Sequence, residues 1–245
     1  MIPPPSPLIS VIVVCKNPGA QLVEALESVW DQQDASVELV VVDGASNDGT
    51  AEWLVAHRDR MAVLVSEPDT GVYEAMNKGV TVARGDWVLF LGADDRLVGK
   101  GVMCEASKWL VRTESGVAVG EIAYDDGRIY RLGRRINPLA RNFVHHQGAF
   151  YRRSLFSEHD RFDPGLAIAS DYDLNLRLWK ARVRFRPFPL RIAACRPRGL
   201  SDAGRWPAYG EEIRVRHRYY ASWRCWWWDA LSIARYMRKK LMRLG

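Results

Sequence analysis

The chain has 245 residues, 48% apolar and 26% charged, a composition that supports a sizeable core and excludes a disordered or low-complexity protein. Its formal charge of +6 is unevenly placed: residues 1–210 hold 26 basic and 26 acidic side chains, and residues 211–245 hold 9 and 3. A neutral body argues against a nucleic-acid-coating protein, which needs a broad basic face. Within that body the charge divides again, with 9 basic against 17 acidic residues in 1–120 and the reverse, 17 against 9, in 121–210. Four scattered cysteines (Cys15, Cys104, Cys195, Cys225) form no CxxC pair and are expected to be reduced and structural, as in the cytoplasm. The opening MIPPPSPL lacks a basic start and a long apolar run, so no signal peptide is expected. No window reaches the roughly 18 apolar residues of a spanning helix.

Strand-then-helix units come first. ISVIVVC (9–15) is a continuous β-branched run, as expected of a strand covered on both faces, and Gly19 to Asp31 follows with helical spacing. VELVVVD (37–43) is the second such strand and stops at Asp43. GASNDGT is a turn in which Asp48 is the expected N-cap of a helix through Trp53 and Leu54. MAVLV (61–65) is the third strand, Val72 to Ala83 its helix, and DWVLFL (86–91) the fourth strand. Beyond about residue 115 the pattern loosens: GVAVGEIAYDDGRIYRLG predicts a hairpin turning at Asp125-Asp126-Gly127, HHQGAFYRR (145–153) a strand, and SDYDLNLRLWKA (170–181) an amphipathic helix. Alternating strands and helices imply an α/β fold around a mostly parallel central sheet flanked by helices, with ligands bound beyond the strands' carboxyl ends.

Asp43, the Glu67/Asp69 pair and Asp94/Asp95 each fall just past a predicted strand's carboxyl end. Three acidic clusters on one rim suggest a cation. Adjacent carboxylates after so apolar a strand as the fourth suit a hard ion, Mg²⁺ or Mn²⁺, shared with the oxygens of a substrate diphosphate. A solvated turn is the plainer alternative for that pair. No GxGxxG follows the first strand and no GxxxxGK[ST] occurs, so the usual dinucleotide and P-loop signals are missing. VCKNPG, with Asn17, Pro18 and Gly19, is a loop that can face a diphosphate through backbone N–H groups, or an ordinary turn.

The succession VIVVCKN, VVVDGASNDGT, EPDTGVYEAMNKG, ARGDWVLFLGADD, HQGAFYRRSLF and ASDYDLNLRL resembles a bacterial family 2 glycosyltransferase of the GT-A (Rossmann-like) fold, over roughly residues 8 to 205. The resemblance implies an inverting transferase that uses a nucleotide-diphosphate sugar, with UDP the expected nucleotide and Mn²⁺ or Mg²⁺ as cofactor. It implies that Asp43 holds the base and that Asp69, Asn77 and Lys78 line the donor pocket, Lys78 being otherwise a surface helix lysine; Asn17, in the loop after the first strand, is expected to join them. It assigns the metal to Asp95, with Asp94 shared between metal and donor, although Gly92 stands where the family's motif often has its first Asp. Asp171 matches the catalytic base; a helix cap is its plain alternative, and Asp173 is a rival. His146 and Gln147 match an HQ pair at the transfer site, and RPRGLSDAG (196–204) matches a loop that closes over the donor. Strand neighbours point to opposite faces, so His145 and His146 are not expected to share one ion.

The expected organisation is therefore a GT-A domain over 1–210, with a nucleotide-sugar half at about 8–115 and an acceptor half at about 116–210, followed by a helical tail. In that tail Trp223, Trp227, Ala230, Ala234, Met237 and Leu241 recur every three to four residues, with Arg224, Arg235, Lys239 and Arg243 largely opposite. Such a helix suits the interface of an anionic membrane, contacted through 219–245; packing on the protein's own core or a dimer contact is the alternative. The expectation is a cytoplasmic enzyme, peripheral at the inner face of the cell membrane, acting on a glycan or lipid-linked acceptor in cell-surface polysaccharide or glycolipid synthesis. A sugar nucleotidyltransferase and a non-catalytic membrane-associated scaffold of the same fold are the rival readings.

Overall fold

The computed structural model describes residues 8–33, 36–133, 135–196 and 206–241. Its first half follows the expected alternation: β1 (Ile9–Cys15), α1 (Gln21–Trp30), β2 (Val37–Asp43), α2 (Thr50–Ala56), β3 (Val63–Ser66), α3 (Val72–Val82) and β4 (Trp87–Gly92). Side chains alternate across a strand, so an apolar run feeds two cores at once. Val11, Val13, Leu39, Val41, Leu89 and Leu91 point to the face covered by α1. Ile12, Val14, Val40, Val42, Val88 and Phe90 point to the opposite face, under α3. The helix approaches closely there because residue 79 is glycine: a Cβ on Gly79 would lie 2.5 Å from Ile12 Cγ2.

Beyond β4 come β5 (Arg96–Leu97), α4 (Val102–Leu110), β6 (Val117–Tyr124), β7 (Ile129–Tyr130), β8 (Ala149–Arg152), α5 (Leu155–Glu158), α6 (Ser170–Lys180), β9 (Phe185–Cys195), α7 (Trp206–Tyr219) and α8 (Ser222–Leu241). The sheet runs β3-β2-β1-β4-β8-β6-β9-β5, with β7 paired to β6. β1 to β4 are mutually parallel, whereas β8 is antiparallel to β4 and to β6. Strand order reverses between β1 and β4, which opens a crevice at their carboxyl ends.

The hairpin forms as expected, with Gly127 at φ 86° in its turn. Other details differ from expectation. β5, α4 and β9 occupy segments for which no element is expected. β9 carries Pro187 and Pro189, yet these fall where only β6 flanks it, since β5 reaches only Ala193 and Ala194. Gly49, not Asp48, holds the cap position of α2, although the Asp48 carboxylate still accepts the Thr50 N–H at 3.1 Å. The tail is not set apart at residue 210: that boundary falls inside α7, which packs against α6 through Val215, Tyr172 and Leu176.

Candidate active site

At the crevice, β4 ends on Gly92 and the chain turns back over it. A Cβ on residue 92 would sit 2.5 Å from Asp95 Oδ2 and 3.0 Å from Asp94 Oδ1, so glycine lets both carboxylates converge on one point. The departure from the expected motif is thus compensated: an aspartate at 92 would occupy the space that Asp95 fills. Asp94 is exposed and Asp95 buried. Burial, and next the charge of Asp94, holds the Asp95 carboxyl above its usual range; nearby His146 and hydrogen bonds from Cys195 and Gln147 offset part of this. The Arg196 N–H reaches Asp95 Oδ1 at 3.3 Å. A buried carboxylate strained by a second one is a fitting pair of hard oxygen donors for Mg²⁺ or Mn²⁺. Among the described residues no three His, Cys, Asp or Glu side chains gather within metal-binding reach, so ligand or water oxygens would complete such a shell.

His146 and Gln147 lie in a single 3₁₀ turn before β8, not in a strand, and connect this pair to the next group. Gln147 touches Asp95, and His146 Nδ1 lies 3.5 Å from Asp171 Oδ2, buried and without a hydrogen-bond partner. His145 diverges because the turn, rather than strand alternation, separates the rings: its Nδ1 meets the Tyr124 hydroxyl at 2.9 Å and its ring lies over Tyr130.

Asp171 stands in the first turn of α6, whose cap position is Ala169, so it is not a capping residue. Its Oδ2 accepts from Asn142 Nδ2 at 2.8 Å and its Oδ1 from the Tyr172 N–H at 2.8 Å. The Tyr73 hydroxyl is 2.7 Å from the Ile168 carbonyl and 3.2 Å from Asp171 Oδ1, with one proton to share between them. That arrangement orients the carboxylate and leaves lone pairs for another donor. Asp173 is the reverse case. It is buried, and Arg218 (3.0 Å), the Tyr219 hydroxyl (3.1 Å) and Arg177 (3.5 Å) engage its carboxylate, so it is structural. Tyr73, Asn142 and Asn175 complete the setting: Asn175 joins Tyr151 (3.0 Å) to Asn142 (3.1 Å). Sequence reasoning missed all three. Tyr73 sits within the GVYEAMNKG motif and was within reach of it; Asn142 lies in irregular chain that carries no signal.

The other expected residues form the loops of the rim. Asp43 is fully buried, its oxygens accepting from Ser46 N–H (3.2 Å), Ser66 Oγ (2.7 Å) and the Ser46 hydroxyl. It therefore shapes the β2 loop from beneath. The Asn17 side chain accepts the Asn47 N–H at 2.8 Å, and the N–H groups of Asn17 and Gly19 are taken by Ser46 Oγ and Asp48. They zip the loop after β1 to the loop after β2, in place of the expected diphosphate cradle. Asp69, half-buried, accepts the Gly71 N–H at 3.0 Å. Asn77 is committed at both ends of its amide to the backbone of Phe162 (2.8 and 3.0 Å). Lys78 holds the Pro68 carbonyl (2.7 Å), Glu67 (3.0 Å) and Glu74 (3.4 Å), so it braces the β3–α3 loop as the surface-lysine alternative has it. Of the expected lid, residues 197–204 lie outside the described residues, as do Arg243 and the opening MIPPPSP.

A cavity of about 330 Å³ opens behind Tyr73, lined by Val72, Pro164, Leu166, Ile168 and Pro207. A larger one of about 460 Å³, bordered by Arg152, Arg153 and Arg161, adjoins none of these site residues.

Comparison with known proteins identifies the family and the fold. A sequence model of the family described as Glycosyl transferase family 2 matches residues 10–176. A PGL/p-HBAD biosynthesis glycosyltransferase of Mycobacterium bovis is 33% identical over 189 residues, 70% of each chain. Among solved structures, S. aureus TarS 1–349 in complex with UDP superposes with a TM-score of 0.66 at 22% identity, over 84% of this chain and 63% of that one, so this chain spans less than two thirds of its length. The mannosyltransferase PcManGT from Pyrobaculum calidifontis, in complex with GDP-Man and Mn²⁺, gives 0.64 at 20% identity, over 94% of this chain and 74% of that one. At these identities the structural likeness speaks for the fold.

Proposed function

The chain belongs to glycosyl transferase family 2 and is a glycosyltransferase of the GT-A fold; from that premise we propose that it moves one sugar, with inversion, from a nucleotide-diphosphate donor to a hydroxyl of a glycan or lipid-linked acceptor. The observation that carries this reading is the placement of Asp171 across His146 and Gln147 from the Asp94–Asp95 pair. Inversion needs a base on the face of the sugar opposite the departing diphosphate. Asp171, with its carboxylate oriented by Asn142 and Tyr73, takes the acceptor's proton as the new bond to the anomeric carbon forms. An acceptor hydroxyl seated between Asp171 Oδ2 and His146 Nδ1 would also give that buried nitrogen its missing partner. Asp95 and Asp94 would hold Mg²⁺ or Mn²⁺, which when bound supplies positive charge against that developing on the diphosphate. UDP is the proposed nucleotide, as in the TarS complex, and the PcManGT complex supports a divalent ion. The loops built on Asn17, Asp43 and Asp69 would receive the nucleoside.

The assay is product detection by mass spectrometry, with UDP- and GDP-sugars, Mn²⁺ and glycan or glycolipid acceptors. Transferred sugar with inverted anomeric configuration supports the proposal. Released pyrophosphate would instead identify a nucleotidyltransferase, and neither product, with no nucleotide bound, a scaffold.

A further inference from the structure

Helix α8 is built inside out. Its inward face carries a polar network beside Cys225 and Tyr236: Arg216 of α7, fully buried, donates to Asp229 (2.9 Å), Glu212 (2.8 Å) and Ser232 (2.9 Å), and Arg235 reaches back to Glu212 at 2.6 Å. Its outward face carries the apolar residues. Trp223, Trp226 and Trp227 are 74%, 63% and 55% exposed, and Ile233, Met237 and Leu241 are exposed beside them. At 100° per residue these fall in one stripe, with Lys240 along one border, Arg238 along the other and Arg224 further round beyond Arg238. The helix does pack on the protein itself, through α7, but the tryptophan stripe is not the side that packs. Asp229, the single acidic residue of α8, is turned inward to Arg216 and His217.

From this we infer that α8 is a docking surface for an anionic lipid bilayer, lying in the interface with its tryptophan stripe inserted and its cations against the headgroups. Three observations select that occupant. Tryptophan suits the boundary between hydrocarbon and water, where its ring is buried and its N–H stays wet. The exposed face is cationic without acidic side chains, and residues 211–245 carry 9 basic against 3 acidic residues, which matches anionic lipid. A second copy of the chain would bring the same cations against one another. No described helix is long and apolar enough to cross a membrane, so the contact is lateral. The surface is also tied to the Asp171 segment. Glu211 of α7 accepts the N–H groups of Ala167, Ile168 and Ala169 (3.0, 2.8 and 2.9 Å), and Arg218 and Tyr219 hold Asp173. A docked α8 therefore holds the base-bearing segment at the lipid surface.

Vesicle binding needs no donor, so its test stands apart from the transfer reading. The full chain is floated with vesicles of phosphatidylcholine, and with equimolar phosphatidylcholine and phosphatidylglycerol. Flotation with the anionic vesicles alone is expected, with a blue shift of tryptophan emission and weakening as salt is raised. The double substitution Trp223→Glu and Trp227→Glu, at exposed positions, should weaken binding roughly tenfold or more while circular dichroism and melting stay unchanged. Absence of binding by the unaltered chain, equal binding by the substituted one, or equal flotation with both vesicle types overturns the inference. A soluble dimer that the same substitutions split overturns it in favour of a second copy.

Discussion

Replacing Asp171 with Asn keeps the side chain's size and removes its charge, and the surrounding bonds limit where the new amide group can turn. Oδ2 faces the Asn142 amide, a donor at 2.8 Å that cannot simply flip, because Asn142 Oδ1 already accepts from Asn175 (3.1 Å) and from the Val144 N–H (3.3 Å). Oδ1 faces the Tyr172 N–H, also a donor, at 2.8 Å. The NH₂ of Asp171→Asn must therefore oppose one donor in either orientation, at a cost of about 1–3 kcal/mol in stability. Tm should fall by about 2–12 °C, given roughly 2–4 °C per kcal/mol for a chain of this size. The larger effect is on rate. A positioned general base contributes about 10²–10⁴-fold, so kcat should drop by that factor, an added barrier of about 3–5 kcal/mol. Donor affinity should not change, since Asp171 lies on the acceptor side of His146 in this account. Steady-state turnover with a saturating donor and titration calorimetry for the nucleotide separate the two effects. A loss of less than about tenfold in kcat, or a parallel loss of donor affinity, would refute the assignment.

Asp95→Asn removes a carboxylate whose ionised form is disfavoured by burial and by Asp94, so the metal-free protein should melt higher, by about 2–4 °C per kcal/mol of relieved repulsion. The same change should abolish metal binding; and in the unaltered protein metal affinity should fall as pH drops through the raised Asp95 pKa, because the ion must displace a proton. Arg216→Leu removes the buried cation between Glu212 and Asp229, leaving Glu212 to Arg235 and Ser232 and Asp229 to His217. Since each keeps 15% of its side chain exposed, we take the low end of the buried-pair range, about 3 kcal/mol, or a Tm about 6–12 °C lower by calorimetry. His145 is pushed down to about 4, chiefly by burial, from an ordinary 6.5. The folded chain keeps it neutral while the unfolded chain takes up a proton below pH 6.5, so stability present above that pH is lost progressively toward about pH 4, on the order of 3 kcal/mol at most. His145→Gln should flatten that part of the melting-temperature profile; identical slopes in both proteins would contradict it.

The parallel half of the sheet was legible because strands buried on both faces must be apolar throughout, and β1, β2 and β4 read that way. The acidic rim was legible for the same reason, since Asp43, Asp94 and Asp95 each interrupt such a run. α4 carried a signal in the spacing of Val102, Met103, Ala106 and Leu110, whereas β9 hid behind its two prolines, which only the absence of a second neighbour allows. Residue types did not reveal which polar side chains stay available. Asn77, Lys78 and Asn17 have the chemistry to bind a donor, yet each is consumed by a loop backbone or an ion pair that depends on tertiary approach. Conversely Asn142 became visible only once β8 and α6 brought it to Asp171. The polar inner face of α8 was equally hidden, because its partner Arg216 belongs to a different helix.

The most direct test of the account is thermal shift of the full chain with UDP, GDP and their sugars, each with Mn²⁺ and with EDTA. We expect stabilisation by one nucleotide that requires the metal, vanishes in Asp95→Ala and survives in Asp171→Ala. A shift that persists in EDTA and in Asp95→Ala, or no shift with any nucleotide, would contradict a metal-dependent donor site at the end of β4.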